Sequence, residues 1–214
     1  MKILLVIPSF NHNKYLVKLL ESIKKVYNDK ILCIDDGSTI PIKLNDNNVV
    51  LIKNDINMGK GYSIIKGAEY AAKNSYTHII VIDSDLQHNP ENIIDFINAD
   101  SKYDLVYGRR SFFKTMPLHR ILSNLLTSFI VSLMSRKKIL DSQCGFRRYS
   151  LKLFNKKYDE KGYQFESEIL LRGLNANSLI KKINIPTIYN DNKSNMNIFS
   201  DTLKFIKMII RNIS

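Results

Sequence analysis

Two aspartates with one residue between them follow an apolar run in the segment VIDSDLQHNPE, residues 81–91. Ile79 to Ile82 lead directly into Asp83, Ser84 and Asp85, and Gln87 comes two residues later. Proteins typically hold Mg2+ with one or two carboxylates, while water and substrate phosphate oxygens fill its other positions. A cation held there acts as a Lewis acid for a departing diphosphate. The spacing therefore predicts a Mg2+ or Mn2+ site at Asp83 and Asp85, with Gln87 placed to face the same site.

The competing interpretation of this segment is an ordinary polar turn. The chain has 14 aspartates in 214 residues, so chance alone supplies roughly one pair with this spacing. His88 precedes Asn89 and Pro90, a context more typical of a solvent-facing turn residue than of a metal ligand. The pair of aspartates therefore needs support from the rest of the sequence.

Four apolar strands are predicted to position these carboxylates, at residues 2–7, 30–35, 48–53 and 78–83. They alternate with helical patterns at 13–27, 58–74 and 90–98. Because the apolar runs are continuous, the strands are expected to be buried on both faces, as in a parallel sheet with crossover helices. We therefore predict a single α/β domain over residues 1–214, with a more helical and mixed second half.

Polar clusters follow each of these strands, at residues 8–11, 35–38, 55–61 and 83–85. In open parallel sheets the ligand crevice lies outside the carboxyl ends of the strands, so the four clusters are predicted to converge on one site. The cluster NMGKG at 57–61 lacks the first glycine and the hydroxyl residue of a phosphate-binding P-loop. Its spacing does not fit the dinucleotide-binding fingerprint either, which argues against a P-loop NTPase and a Rossmann dehydrogenase.

The charge balance is strongly basic, with 32 Lys and Arg against 20 Asp and Glu, a formal charge of +12 and a pI near 9.6. An excess of this size favours an anionic partner: nucleic acid, an anionic membrane surface or a phosphorylated substrate. The basic residues are dispersed and no aromatic-interleaved base platform is evident, so we do not expect a nucleic-acid-binding protein.

The two cysteines, Cys33 and Cys144, indicate a reducing compartment without a disulfide framework. The first apolar run, residues 3–7, is followed by a proline without a small-residue cleavage site, so it is interpreted as a strand and not as a signal peptide. The charge-free stretch 121–135 is shorter and more polar than the ~20 residues that span a bilayer. We therefore predict a cytoplasmic protein without a transmembrane helix.

Six motifs, taken in order, resemble the family 2 inverting glycosyltransferases with a GT-A fold. They are VIPSFN, CIDDGST, NMGKGYSIIKGAEYA, VIDSDLQHNPE, YGRR and DSQCGFR. Within that family the sequence is most similar to dolichyl-phosphate mannose synthases and related polyprenyl-phosphate glycosyltransferases. The resemblance implies a Rossmann-like, mostly parallel sheet flanked by helices. It further implies a nucleotide-sugar-binding half at 1–110 and an acceptor-binding half at 111–214.

The resemblance assigns the first half to the donor, a GDP- or UDP-sugar. The positions that match the nucleotide-binding loops are Pro8, Phe10 and Asn11 against the base, Asp35 and Asp36 at base and ribose, and Asp55 or Asn57 completing that pocket. Asp83 and Asp85 match the metal-diphosphate motif, and Gln87 matches the extra ligand of the polyprenyl-phosphate branch. Nothing in the sequence distinguishes one sugar from another.

The second half is assigned to the acceptor. Arg109 or Arg110, and Arg120, match basic positions near an acceptor phosphate, and Asp141 matches the acidic residue near the reacting sugar. Without the family, the arginines would be interpreted as solvated surface charge and Asp141 as a turn residue. Ser194 and Asp201 also fit the family's tail, without an assigned role. Gln164, Glu166 and Glu168 resemble family positions too, but we interpret them as lining a helix start.

Two amphipathic patterns bear on whether the acceptor is a membrane lipid. One stripe comprises Leu118, Ile121, Leu122, Leu125, Leu126, Phe129, Ile130, Leu133 and Met134, and the segment 198–214 repeats the pattern with Lys204, Lys207 and Arg211 on its polar side. Core packing is one interpretation; docking on an anionic membrane, where a polyprenyl phosphate lies, is the other.

A phosphate acceptor is already ionised, whereas a hydroxyl acceptor would make Asp141 the candidate base. A catalytically silent nucleotide-binding relative is the remaining alternative.

Overall fold

Seven strands form one mixed sheet in the part of the chain that the computed structural model describes, residues 1–111, 116, 118–174, 177–188 and 198–213. The strands are β1 (Ile3–Ser9), β2 (Ile31–Asp35), β3 (Val49–Lys53), β4 (His78–Val81), β5 (Leu105–Arg110), β6 (Arg147–Ser150) and β7 (Ile180–Ile185). The helices are α1 (Asn13–Ile23), α2 (Lys60–Lys73), α3 (Ile93–Asn98), α4 (Leu118–Ser135), α5 (Phe165–Glu168) and α6 (Ile198–Ile213). The predicted α/β fold is confirmed.

The sheet has the order β3-β2-β1-β4-β6-β5-β7. The first four strands are parallel, β6 runs antiparallel between β4 and β5, and β7 is parallel to β5. The chain passes from β1 outward to β2 and β3, then returns to place β4 on the other side of β1. A ligand site is expected at such a switch point, outside the carboxyl ends of β1 and β4.

Alternate residues of the central strands pack into two hydrophobic cores, one on each face of the sheet. Leu4 and Val6 of β1 pack with the core that includes Ile64 of α2, and Leu5 and Ile7 pack with the core that includes Leu16 of α1. Burial on both faces is therefore confirmed for β1. It is wrong for β3, which is partly exposed because it forms an edge of the sheet.

The helix α4 presents its apolar stripe to solvent. Leu118, Phe129 and Leu133 are 71%, 66% and 70% exposed, whereas Asn124 and Ser128 on the opposite side are buried. The remaining members of the stripe are exposed or half-buried: Ile121, Leu122, Leu125, Leu126, Ile130 and Met134. The interpretation of this stripe as core packing is therefore wrong, because α4 contacts the body of the protein through its opposite side, which carries Asn124, Ser128 and the core residue Val131.

The helix α6 is divided between the core and the surface. Met208 is buried and Phe205 packs against the core, while Leu203, Ile206 and Ile210 are exposed. Lys204, Lys207 and Arg211 are exposed too, so basic and apolar side chains share the outer surface of this helix. None of the helices in the described residues is long and apolar enough to cross a membrane.

Candidate active site

A cavity of about 390 Å³ opens at the carboxyl ends of β1, β2 and β4. The segments after these strands supply one part of its wall, the residues at 162–164 another, and the last helix contributes a lysine. The described residues that line it are Pro8, Ser9, Phe10, His12, Asp36, Asn57, Gly59, Lys60, Asp83, Ser84, Asp85, Gly162, Tyr163, Gln164 and Lys204. The predicted convergence of polar clusters on one site is thus observed.

Asp83 lies at the centre of an ion-pair cluster. The Lys60 ammonium is 2.6 Å from Asp83 Oδ1 and 2.9 Å from Glu166 Oε1, and His88 Nε2 lies 3.6 Å from Asp83 Oδ2. Burial opposes ionisation of Asp83, but Lys60 and His88 together hold the pKa of its carboxyl well below its usual range. Asp83 is therefore a fixed negative charge facing the cavity.

Asp85 faces the same cavity from the next turn. Its Oδ1 accepts a hydrogen bond of 3.0 Å from the backbone N–H of Gln87, across a turn in which Leu86 has a φ of 62°. Burial, and secondly the neighbouring charge of Asp83, raise the pKa of Asp85. A cation bound here would favour the ionised form of Asp85, which the charge of Asp83 opposes.

The donor set fits a divalent metal of the Mg2+ or Mn2+ type. Asp83 and Asp85 offer carboxylate oxygens that face a cavity large enough for a phosphate, and such metals use few protein ligands. Within the described part of the chain, no cluster of three or more His, Cys, Asp or Glu side chains is arranged to hold a metal by itself. Substrate and water oxygens would complete the coordination. Gln87 contributes its backbone N–H to the turn, and its predicted role as a side-chain ligand remains a prediction.

The two aspartates after β2 hold the loops of the cavity. Asp36 accepts hydrogen bonds from Asn54 Nδ2 at 2.7 Å and from the N–H groups of Met58 and Gly59 at 3.0 and 2.7 Å. Asp35 Oδ1 accepts from the Ser38 N–H at 2.9 Å, and its Oδ2 is buried without a partner in the structure. Asp36 lines the cavity, whereas Asp35 lies beneath it.

Of the remaining predicted nucleotide-binding residues, some line the cavity and others lie outside its lining. Pro8, Phe10 and Asn57 line the cavity. Asn11, at a φ of 56°, joins the loops after β1 and β2, because its N–H donates to Ser38 Oγ and its Oδ1 accepts from the Thr39 N–H. Asp55 is exposed and lies outside the lining of the cavity, so of the two alternatives the structure brings Asn57 to the site.

Asp141, which is fully buried, and Arg110, which is half-buried, form a two-pronged ion pair. Arg110 Nε and Nη2 donate to Asp141 Oδ2 and Oδ1 at 2.8 and 2.9 Å, and the Arg110 N–H and Asn124 Nδ2 donate to the same carboxylate. Burial opposes ionisation of Asp141, but Arg110 and Asn124 lower the pKa of its carboxyl below the usual range. Because its carboxylate accepts four hydrogen bonds, Asp141 is a weak base. The guanidinium of Arg110 is in turn paired with this carboxylate.

The other two predicted acceptor arginines lie close to this pair along the chain. Arg109 is half-buried at the end of β5, and Arg120 is half-buried in the first turn of α4. Among the described residues, neither one lines the cavity. Their role at an acceptor phosphate remains a prediction. Ser194 lies outside the described residues, as does the side chain of Asp201.

Several site residues were missed or misinterpreted in the sequence. His88 was expected to face solvent, but it is buried against Phe146 and next to Asp83. Glu166 and Glu168 do lie at a helix start, yet both are buried: Glu166 pairs with Lys60, and Glu168 holds the N–H groups of Asp159 and Glu160. The sequence signal for the contact between Lys60 and Glu166 was the pair of glycines on either side of Lys60. Without side chains, Gly59 and Gly61 allow the start of α2 to approach the segment 160–165 closely.

Arg147 is a further residue that sequence reasoning did not single out. It is fully buried, and its guanidinium donates to the carbonyl oxygens of Cys144, Ser142 and Glu166 at 2.7, 2.5 and 2.7 Å. It therefore joins the loop that follows Asp141 to the helix that carries Glu166. The strand that carries Arg147, β6, is not among the predicted strands, so no local pattern indicated this role.

Comparison with known proteins identifies the family. Residues 4–163 match the family model described as glycosyl transferase family 2. A UDP-N-acetylglucosamine–dolichyl-phosphate N-acetylglucosaminyltransferase of Methanococcus voltae is 32% identical over 88% of this chain and 86% of that enzyme. A polyprenol monophosphomannose synthase of Mycolicibacterium smegmatis is 23% identical over 80% of this chain and 72% of that enzyme.

Comparison with solved structures identifies the fold. The glucosyl-3-phosphoglycerate synthase of Mycobacterium tuberculosis, in complex with Mg2+ and UDP, superimposes with a TM-score of 0.75 at 16% identity, covering 99% of this chain and 79% of that one. The fold is thus the GT-A fold. The chain belongs to glycosyl transferase family 2, near the polyprenyl-phosphate glycosyltransferases, and is a glycosyltransferase.

Proposed function

We propose that this enzyme transfers a sugar from a UDP- or GDP-sugar to a polyprenyl phosphate at the cytoplasmic surface of a membrane, with Mg2+ or Mn2+ as cofactor. The observation that carries the proposal is α4, which exposes an apolar face while its polar side holds the Arg110–Asp141 pair through Asn124. The exposed apolar face of α4, which would contact lipid, is thereby linked to Arg110 and Asp141 in the predicted acceptor half. The names of the two curated relatives above, which act on dolichyl phosphate and polyprenol phosphate, support the same class of acceptor.

The charge of the protein supports docking on an anionic membrane. Arg136 and Lys138 are exposed directly after α4, and Lys204 and Lys207 are exposed on α6. A basic residue near an anionic membrane surface contributes about 1 kcal/mol of attraction, and exposed apolar side chains add to it by entering the headgroup boundary. The exposed apolar face and the net charge of +12 favour the same partner.

The donor side of the mechanism is a direct displacement. The nucleotide would lie in the cavity beside Pro8, Phe10 and Asn57, with its diphosphate directed at Asp83 and Asp85. A divalent cation held there would neutralise the charge of the departing nucleoside diphosphate. Asp36 keeps the loop at 54–59 in place beneath the donor, and Lys60 supplies a positive charge on the same side.

The acceptor side favours a phosphate over a hydroxyl. A hydroxyl acceptor needs a general base in the transition state. Asp141, the candidate base, is fully buried, saturated by four donors and held ionised by Arg110, so it does not readily take up a proton. A phosphate nucleophile is already ionised and needs no such group, and Asp141 then positions Arg110 instead.

Release of nucleoside diphosphate tests the proposal. Purified protein is incubated with a panel of UDP- and GDP-sugars, Mg2+ or Mn2+, and polyprenyl phosphate in detergent, with parallel reactions that lack the lipid. We expect release from one donor, dependent on the lipid, abolished by EDTA and lost in Asp85→Asn. Release that ignores the lipid would reject the lipid acceptor, and a folded protein that turns over none of the donors would reject the enzymatic proposal.

A further inference from the structure

Lys60 occupies the place beside Asp83 that a metal ion also needs. Its ammonium is 2.6 Å from Asp83 Oδ1 and 2.9 Å from Glu166 Oε1, and its side chain is 14% exposed. We propose that Lys60 is an internal counter-cation that neutralises Asp83 and Glu166 in the metal-free enzyme, gives up Asp83 when the metal binds, and then binds the donor diphosphate. This inference rests on the proposed function, since it assumes a metal and a diphosphate at this site.

The charges of the cluster require such a partner. Asp83 and Asp85 line the cavity, and Glu166 is buried beside it against Lys60. An isolated buried carboxylate is strongly destabilising unless it is paired with an opposite charge. Lys60 contacts two of these three carboxylates, so the enzyme is stabilised before it has bound any metal.

The backbone around Lys60 places its ammonium beside Asp83. A Cβ on Gly145 would overlap the ends of both side chains, Asp83 Oδ2 and Lys60 Nζ, so the glycine lets the pair form without displacement. Gly59, immediately before the lysine, has a φ of 98°, and a Cβ there would overlap the carbonyl oxygen of Lys161. Helix α2 therefore begins at a fixed place, with Lys60 as its first residue.

The consequence is cooperation between metal and diphosphate. A divalent cation that approaches Asp83 Oδ1 meets the positive charge of Lys60 at close range, and two cations so near each other repel. Metal alone therefore binds only by weakening the Lys60–Asp83 contact. When a nucleoside diphosphate is present, its oxygens provide a new partner for Lys60 as well as ligands for the metal. Lysine suits this exchange, because it carries a compact charge on a flexible four-carbon stem.

Binding measurements on Lys60→Met test the exchange without relying on turnover. Mn2+ binding is measured alone by electron paramagnetic resonance, then with saturating UDP and, in parallel, GDP; nucleotide binding is measured by calorimetry with and without Mn2+. The matched control is Lys73→Met, which removes an exposed lysine from the last turn of the same helix. Lys60→Gln is a second variant, and circular dichroism confirms that each variant is folded.

In Lys60→Met we expect the affinity for Mn2+ alone to rise and the affinity for the nucleoside diphosphate to fall. Mn2+ alone binds more tightly than in the wild type, the nucleoside diphosphate binds more weakly in the presence of Mn2+, and the coupling between them falls by about 10-fold or more, within the usual range for linked sites. Lys73→Met behaves as the wild type.

Two results would overturn the inference. Weaker or unchanged binding of Mn2+ alone in both Lys60 variants, with the coupling intact, would show that Lys60 does not compete with the metal, although the proposed function would survive. A wild-type protein that binds neither Mn2+ nor either nucleotide would instead contradict the proposed function itself, so the two failures are distinguished by the wild type alone.

Discussion

Asn124 of α4 donates a hydrogen bond of 2.8 Å to Oδ1 of Asp141, the carboxylate that holds Arg110. Ser128, one turn further along α4, donates to Asn124 Oδ1 and accepts from the Ser142 N–H. The helix is therefore attached through the side that carries these polar residues and the core residue Val131, whereas its apolar stripe faces outward. Any contact that shifts α4 reaches the Arg110–Asp141 pair through these hydrogen bonds.

Removal of the Asn124 amide is expected to destabilise the protein. Asn124→Ala leaves a buried carboxylate with one donor fewer, and such a loss costs about 1–3 kcal/mol. The free energy of unfolding is measured by urea denaturation. Ser123→Ala is the control, since this neighbouring residue is exposed. Equal stability of the two variants would contradict the attachment of α4 through Asn124.

Substitutions of the two adjacent arginines of β5 are expected to affect different properties, stability for Arg110 and acceptor binding for Arg109. Arg110→Met removes one partner of a buried ion pair and leaves Asp141 uncompensated, which costs about 3–5 kcal/mol. Arg109→Met removes a half-buried arginine for which the structure gives no such partner role, so we expect little loss of stability and a raised KM for the lipid phosphate. Chemical denaturation and steady-state kinetics measure the two effects. The reverse pattern would exchange the roles assigned to the two residues.

The exposed face of α4 is expected to control membrane binding. The triple variant Leu122→Asn, Leu126→Asn and Phe129→Asn removes three exposed apolar side chains. Each contributes up to about 1.5–3 kcal/mol when buried, so partitioning falls by about 10-fold or more. Sedimentation with phosphatidylglycerol-containing vesicles measures it. The matched control, Val17→Asn, Ile40→Asn and Ile94→Asn, changes exposed apolar residues elsewhere. Equal sedimentation of both triple variants would reject α4 as the docking surface.

His78 is expected to make the protein less stable in mild acid. Burial, and secondly the positive charge of Arg148, lower the pKa of His78 from 6.5 to about 4. Between these values the unfolded chain binds a proton that the folded chain does not, so stability falls as the pH decreases from 6.5 towards 4 and is unaffected above that window. Urea denaturation across this range is compared with His78→Asn, which should show a shallower decrease. Parallel curves for the two proteins would contradict the role of His78.

The donor half of the site was accessible to sequence reasoning because its information is local. Each polar cluster follows a strand directly, and parallel strands end at one edge of a sheet, so Pro8, Asp36 and Asp83 had to converge. The outward orientation of α4 was not accessible. An apolar stripe indicates an amphipathic helix, but only the partners of Asn124 and Ser128 show which side is attached.

Strand β6 was missed for a related reason. β6 contains Arg147 and Arg148, both fully buried, and charged residues argue against a central strand. Their guanidinium groups donate to backbone carbonyl oxygens, some of them distant in sequence, such as Glu166 for Arg147 and Phe96 for Arg148. Glu166 likewise acquires its role only through Lys60, more than a hundred residues earlier in the chain. Contacts between distant segments leave no periodic pattern.

The most direct test of the account follows the sugar itself. Enzyme, radiolabelled UDP- and GDP-sugars, Mg2+ and vesicles that contain polyprenyl phosphate are incubated together, and the label is partitioned between aqueous and organic phases. The account predicts that label from one donor enters the organic phase as a lipid-linked sugar, and that EDTA or omission of polyprenyl phosphate prevents it. Label that is released from the donor but stays in the aqueous phase, whether or not the lipid is present, would contradict transfer to a lipid phosphate.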